Sequence, residues 1–350
     1  MKDFYLVFIS MLLLVSCRDS KPVKPAEEPY TPTPVALEVP YLFPTMDIPV
    51  DNPLTQEGIF LGRKLFYEPL LSGDGTQSCA SCHVQNTAFT DPEKFSTGID
   101  GLLGTRNAMP LINTGWMNML FWDGRASGLE DQAIFPVEDP LEMHADWENV
   151  VEKLKNHSDY PELFRKAFKT SGVTKERVTK ALAQFERTLI SKNSKTDDVA
   201  VIGGGVFYTD LEQEGFDLFN SERGDCFHCH SGILFTDNLF HNNGLDENHD
   251  TDKGLFRATN NVADIGKFKT PTLRNVAFTA PYMHDGRFET LDEVLQFYGE
   301  GVKVSSTLDP LMSHQGGINM TSHEQKAIKA YLLTLSDTTF LNNPDFSDPN

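Results

Sequence analysis

Cys79-Ala80-Ser81-Cys82-His83 reads C-x-x-C-H, the attachment signature of a c-type haem. The two thiols add to the haem vinyl groups, and the adjacent imidazole reaches the iron as an axial ligand. The same word returns once, as Cys226-Phe227-His228-Cys229-His230. Four of the five cysteines lie in these two words, and the fifth, Cys17, stands alone. No pair is left for a structural disulfide. A zinc site from the paired thiols is the competing reading, but zinc does not require the histidine that follows both second cysteines. Two covalently bound c-type haems are therefore expected, on Cys79, Cys82 and His83 and on Cys226, Cys229 and His230.

A chain of 350 residues suits two domains of ordinary size. Hydrophobic residues make up 39%, enough for packed cores, and 25 phenylalanines suit the walls of haem pockets. The formal charge is −20, which excludes nucleic acid as a partner because phosphate binding needs a basic surface.

Residues 1–17 read MKDFYLVFISMLLLVSC, a basic start followed by an apolar stretch too short to span a membrane as a mature helix. Leu14-Val15-Ser16-Cys17 resembles a bacterial lipobox, so a lipoprotein signal peptide with lipidated Cys17 is expected; an ordinary signal peptide is the alternative. Export agrees with c-type haems, whose attachment in bacteria occurs outside the cytoplasm. The expected location is the periplasmic side of a bacterial cell envelope, with a lipid anchor as the membrane contact. Residues 18–49 hold eight prolines without helical or strand period and read as an extended linker.

The rest looks duplicated. Gln56-Glu57-Gly58 and Gln213-Glu214-Gly215 each lead through Leu-Phe to a haem word. Arg106-Asn107 precedes Trp122-Asp123-Gly124-Arg125 and Leu129, while Arg274-Asn275 precedes His284-Asp285-Gly286-Arg287 and Leu291. Thr209-x-x-Glu212, Thr290-x-x-Glu293 and Thr321-x-x-Glu324 are capping boxes that open helices. Val178, Leu182, Phe185 and Leu189 mark a further helix, and strand-like alternation is scarce. The expected fold is mainly α: two tandem cytochrome c-like domains, 50–196 and 197–337, each around one haem, followed by a tail, 338–350. Asp197 to Val206, with three consecutive glycines, is the expected hinge.

A haem that only carries electrons does best with two strong axial ligands, whereas one that activates peroxide needs an open face and a proton-handling group beside it. Between His83 and Glu142 there is no histidine, and Met109, Met117 and Met119 read better as packing residues. An open first iron follows. In the second copy Met283, His284, Tyr298, Met312, His314 and Met320 are all candidates, and residue type does not choose among them.

The strings FWDGR (121–125) with Gln132 and P-x-x-x-P-L-E-M (136–143), and TPTLRNVAFTAPYMHDGRFETLDEVLQFYGEG (270–301), resemble the bacterial di-haem cytochrome c peroxidase family, including its MauG branch. The resemblance runs from about residue 50 to 337. It implies a peroxidatic N-terminal haem and an electron-transferring C-terminal haem. It also implies that Glu142 is the distal acid–base group, that Gln132 belongs to the same pocket, and that Trp122 lies between the haems. A calcium ion held by Asn107 and by the carbonyls of Thr279 and Pro281 is implied too, and hard oxygen donors suit that ion. Many relatives cap the resting first iron with a loop histidine; the matching loop here, residues 95–102, has none. The family's second axial ligand falls on Tyr298, where peroxidases usually place methionine and the MauG branch tyrosine; Met283 and Met312 stay open as alternatives.

The expected activity is reduction of hydrogen peroxide to water, with electrons from a small cytochrome or similar donor. A MauG-like oxidase that modifies a partner protein through a high-valent di-haem state is the first alternative. A non-catalytic di-haem electron carrier is the second. Related enzymes are often dimers, so a homodimer is a further expectation.

Overall fold

The computed structural model describes residues 30–312 and 316–349. The expected signal peptide, Cys17, residues 18–29 of the linker and the ligand candidate His314 lie outside the described residues.

Two helix pairs carry the architecture. Gln56–Phe66 packs on Lys175–Glu186, and Asp210–Phe219 packs on Ser322–Leu333. Their starts follow from local chemistry. The Thr55 and Thr174 side chains accept the amides of Gly58 and Arg177. Thr209 with Glu212 and Thr321 with Glu324 form reciprocal capping boxes, as does Thr290 with Glu293 ahead of helix Leu291–Gln296. Among the described residues the strands are two short pieces, Phe240–His241 antiparallel to Phe268–Lys269. The fold is mainly helical, as expected, with long irregular connections.

Each helix pair crosses on a glycine. A Cβ on Gly62 would stand 1.9 Å from the Ala181 carbonyl oxygen, and one on Gly215 1.9 Å from that of Ala327. This contact sets the register of the duplication and corrects the alignment through Gln-Glu-Gly. Gly62-x-x-Leu65-Phe66, not the segment from Gly58, is the counterpart of Gly215-x-x-Leu218-Phe219. Gly58 meets the Gln184 side chain instead. Gly62→Ala or Gly215→Ala forces two helix backbones apart. Each is expected to lower stability by about 3 kcal/mol, the upper end of ordinary overpacking costs, read as a lower denaturant midpoint.

The second block is corrected in the same way. Asn113 and Asn275 both adopt a left-handed conformation and start a 3₁₀ turn. Their amides donate to Leu189 and Leu335, and their Oδ1 atoms accept from the amides of Ser191 and Asp337. Asn113, rather than Asn107, is thus the counterpart of Asn275. From there the spacing is constant: Trp122 answers to His284, Gly124 to Gly286 and Leu129 to Leu291.

Three boundary expectations change. Residues 195–200 form a helix whose Asp197 pairs with buried Arg274 at 2.7 Å, so only 201–206 remains of the expected hinge. The described part of the linker lies against the body: Phe43 and Met46 are buried, Trp116 donates to the Pro44 carbonyl, and Arg274 covers the Phe43 ring. The expected tail is part of the first core, where Phe340, Leu341 and Phe346 are buried. In both segments apolar side chains have found partners that proline content and chain-end position do not disclose. The two haem-word regions are locked together by Arg106, which binds Asp252 through two 2.7 Å bonds, and by the amide of Asn107, which donates to the His284 carbonyl.

Candidate active site

The four-residue helix Cys79–Cys82 ends at His83 and is opened by a Ser78–Ser81 capping box. His83 Nδ1 lies 2.8 Å from the Phe89 carbonyl oxygen, and His230 Nδ1 lies 3.2 Å from that of Phe235. A carbonyl only accepts, so each proton sits on Nδ1 and the Nε2 lone pair is free for a metal. Burial lowers both histidine pKa values, which keeps the rings neutral. Cys79, Cys82, Cys226 and Cys229 are free thiols, and burial pushes Cys82 up to about 11. Half-buried neutral imidazoles beside paired free thiols fit two covalently attached haems. An orphaned polar atom agrees: Glu186, which lines the first cavity, is buried with Oε2 unpartnered, and burial pushes its carboxyl up to about 8.

The first cavity, about 760 Å³, brings together His83, Trp122, Gln132 and Glu142, with Pro136 beside them. Burial raises the Glu142 carboxyl to about 7, the Asp139 charge adds to this, and Arg125 opposes it. His249 and His284 also reach this cavity from the second domain, but both are engaged. His249 Nε2 bonds the Asn242 amide, and the His284 ring stacks on Phe268 at 3.6 Å. His144, two residues beyond Glu142, points to solvent and binds Asp100.

The loop of residues 95–102 is a tight hairpin closed by the Gly98 amide on the Leu102 carbonyl and by a bridge between Thr97 and Leu103. The Ile99 amide donates to the Glu142 carbonyl at 3.0 Å. A Cβ on Gly98 would stand 2.3 Å from the Leu141 oxygen, so the hairpin lies directly on the segment that carries Glu142.

The second cavity is lined by His230, Tyr298, Met283 and Met312. His284 and Met320 line it too, so five of the six ligand candidates are brought together, His314 lying outside the described residues. Tyr298 sits in a π-helical turn, Phe297–Gly301, that continues helix Leu291–Gln296, and such turns are frequent at functional sites. Burial pushes its phenol up to about 12, opposed by the Asn243 amide, which donates to its oxygen at 3.2 Å. Counted from Leu291, Tyr298 holds the place that Pro136 holds from Leu129. The first copy therefore has no ligand atom where the second has a phenol.

Asn107, Thr279 and Pro281 also line the second cavity. The Asn107 Nδ2 donates to the Glu93 carbonyl at 3.1 Å, which leaves its Oδ1 as the atom suited to a cation. Trp122 lines both cavities, as do Asn107, His284 and Lys269. Its indole nitrogen donates to the Asn107 carbonyl, and its ring lies 6.5 Å from that of its counterpart His284.

Lys269 and Asn243 escaped the sequence reading. Lys269 is buried beside the Phe240 ring, and burial lowers its amine to about 8. Neither has a spacing signal. The role of His284 as partner of Trp122 was available from the shared D-G-R motif.

The profile described as di-haem cytochrome c peroxidase matches residues 56–203. The chain is 37% identical over 288 residues to the methylamine utilization protein MauG of Methylorubrum extorquens, covering 82% of this chain and 80% of that protein. It is 31% identical over 332 residues to the cytochrome-c peroxidase IdrP1 of Denitromonas iodatirespirans, covering 86% and 87%. Among solved structures, a MauG-like protein associated with microbial copper homeostasis superposes with a TM-score of 0.84 at 35% identity, covering 90% of this chain and 99% of that one.

Proposed function

The chain belongs to the di-haem cytochrome c peroxidase family, and on that premise we propose that it reduces hydrogen peroxide to water. Two electrons and two protons are consumed per peroxide, the electrons coming from a small cytochrome or similar donor. The carrying observation is Glu142, poised at about 7 in the cavity that His83 lines. When bound, the haem supplies an iron to hold peroxide and the electrons that break its O–O bond. His83 Nε2 would hold the first iron and His230 Nε2 the second. As carboxylate, Glu142 takes the proton from the near peroxide oxygen and returns it to the far one, which leaves as water. The Gln132 amide, in the same cavity, helps fix the peroxide. Trp122, shared by both cavities, is the π-system through which electrons cross.

Tyr298 is the proposed second ligand at haem 2, and Pro136 at the matching place keeps the first iron open. The 95–102 hairpin, without histidine and fastened to the Glu142 carbonyl, brings no cap to that iron. Reduction before reaction with peroxide is then unnecessary. The same asymmetry favours a second reading, oxidation of a partner protein in the manner of MauG. Electron paramagnetic resonance of the ferric protein is expected to show one high-spin and one low-spin haem. Two low-spin signals would defeat the open site. Rapid steady-state peroxide turnover with a reduced cytochrome would favour the first reading over the second.

We further propose one calcium per chain at Asn107, Thr279 and Pro281. Elemental analysis of the purified protein checks this: Asn107→Ala is expected to lose the ion, and an unchanged calcium content would remove Asn107 from the site. Among the described residues no helix is long and apolar enough to cross a membrane. Placement on the periplasmic side through lipidated Cys17 is proposed on the N-terminal motif.

A further inference from the structure

The loop that carries the first proximal ligand is strained. Ala88 and Phe89 are consecutive non-glycine residues with φ of 58° and 59°, a region that L side chains rarely adopt. Such a backbone persists only where its surroundings hold it. The Phe89 carbonyl is the group that takes the His83 Nδ1 proton. Phe89 is fully buried, and three rings surround it: Phe66 at 5.9 Å, Phe340 at 5.7 Å and Phe346 at 6.4 Å. Two of the three come from the end of the chain, after it has completed the second domain.

The returning segment is fastened along its length. Asp337 begins it by accepting the amides of Lys192 and Asn193. Gln85, in the haem-word loop, donates to the Asn343 carbonyl at 2.8 Å. Arg63 donates to the carbonyls of Pro344 and Ser347, and the Tyr67 hydroxyl to that of Phe346. Among the described residues the second haem word has no such strap. There a single left-handed residue, Phe235, carries the accepting carbonyl; its ring meets Phe219 and the Arg274 guanidinium, and its hydrogen bond is longer, 3.2 Å against 2.8 Å.

We propose that the C-terminal segment, residues 338–349, is a positioning strap for the proximal ligand of the first haem. By clamping Phe89 it holds the carbonyl that orients His83 and strengthens its donation to iron. The proposal rests on His83 as the haem 1 ligand. Its members are positioning residues, since none touches the reacting atoms.

The test is made on the full-length di-haem protein, with three variants: Phe346→Ala, Phe346→Leu and Arg63→Ala. The iron–histidine stretching band of reduced haem 1, seen by resonance Raman, reports the hydrogen bond at Nδ1. Phe346→Ala is expected to move that band to lower frequency and to cut the second-order rate constant with peroxide at least tenfold. The low-spin signal of haem 2 should stay as in the parent. Phe346→Leu should restore the band and bring the rate to within twofold. Arg63→Ala, which unfastens the strap from the surface without opening the core, should shift the band in the same direction. An unmoved band in Phe346→Ala overturns the proposal, and so does equal disturbance of both haems. Where Phe346→Ala fails to load haem, an unmoved band in Arg63→Ala overturns it instead. Absence of any iron–histidine band in the parent protein would mean a sixth ligand on the reduced first iron and would defeat the open site of the proposed function, whereas a band indifferent to the variants defeats the strap alone.

Discussion

Glu142→Gln is expected to slow the reaction with peroxide roughly 10²–10⁴-fold, the range that a positioned general acid–base group contributes. Both haems should remain attached, because attachment uses the thiols of the two haem words and not the Glu142 carboxyl. The pH dependence carries the sharper test. Burial raises the Glu142 carboxyl from 4.5 to about 7 in the folded chain. Below that value the group is protonated and too weak a base to take the first proton. The parent rate constant should therefore rise with pH up to about 7 and level off above it, and Glu142→Gln should lose this limb along with its rate. Stability should move oppositely. A carboxyl whose folded pKa lies above its unfolded value destabilises the fold once pH exceeds the unfolded value, and the penalty is complete above the folded one. The glutamine variant is then expected to be more stable than its parent above pH 7 and similar to it below pH 4. Stopped-flow rates and denaturant midpoints across this range check both statements. A variant with parental rate and pH profile removes Glu142 from proton transfer.

What the sequence disclosed and what it hid divide by the range of the interaction. The three threonine–glutamate boxes are local, each complete within four residues, and they open helices as expected; the haem words are equally local, and each ends on a histidine whose Nδ1 faces a backbone carbonyl. Glu142, Gln132 and Trp122 do fall in one cavity with His83. The string Gln-Glu-Gly misleads about the repeat register because it opens helix Gln56–Phe66 but lies inside helix Asp210–Phe219, where its Gly215 makes the crossing; in the first copy the crossing is decided by the contact of Gly62 with Ala181, far along the chain. Asn107 and Asn275 share only residue identity and a preceding arginine, whereas the property that defines the structural pair is a left-handed backbone at Asn113 and Asn275. The C-terminal segment holds too few apolar residues to announce a helix. Phe340 and Phe346 matter through Phe89, which lies in the other domain. Lys269 gains its interest only from lying on the wall of both cavities.

Replacing Tyr298 should change the second haem and leave the first untouched. A phenolate is a hard anionic donor that favours ferric iron, so Tyr298→Phe is expected to alter the absorption and low-spin resonance of haem 2 alone. Tyr298→Met supplies a soft neutral donor in its place. Axial ligands tune haem potentials over about 0.8 V, and this exchange should raise that of haem 2 by a substantial part of that span, on the order of 0.2 V. A haem of raised potential keeps an electron at rest. The Tyr298→Met protein, once given one electron, should therefore hold it on haem 2, whereas the parent should not. The surroundings give a reason to expect Tyr298 rather than a methionine. Its oxygen receives the Asn243 amide at 3.2 Å, a bond that stabilises negative charge there, while the same amide meets the Met283 sulfur only at 3.9 Å. A spectrum of haem 2 unchanged in Tyr298→Phe would pass the ligand role to Met283 or Met312, which line the same cavity. It would also undo the contrast with Pro136, since a methionine on haem 2 makes the second copy an ordinary electron relay and takes away the main reason to weigh oxidation of a partner protein.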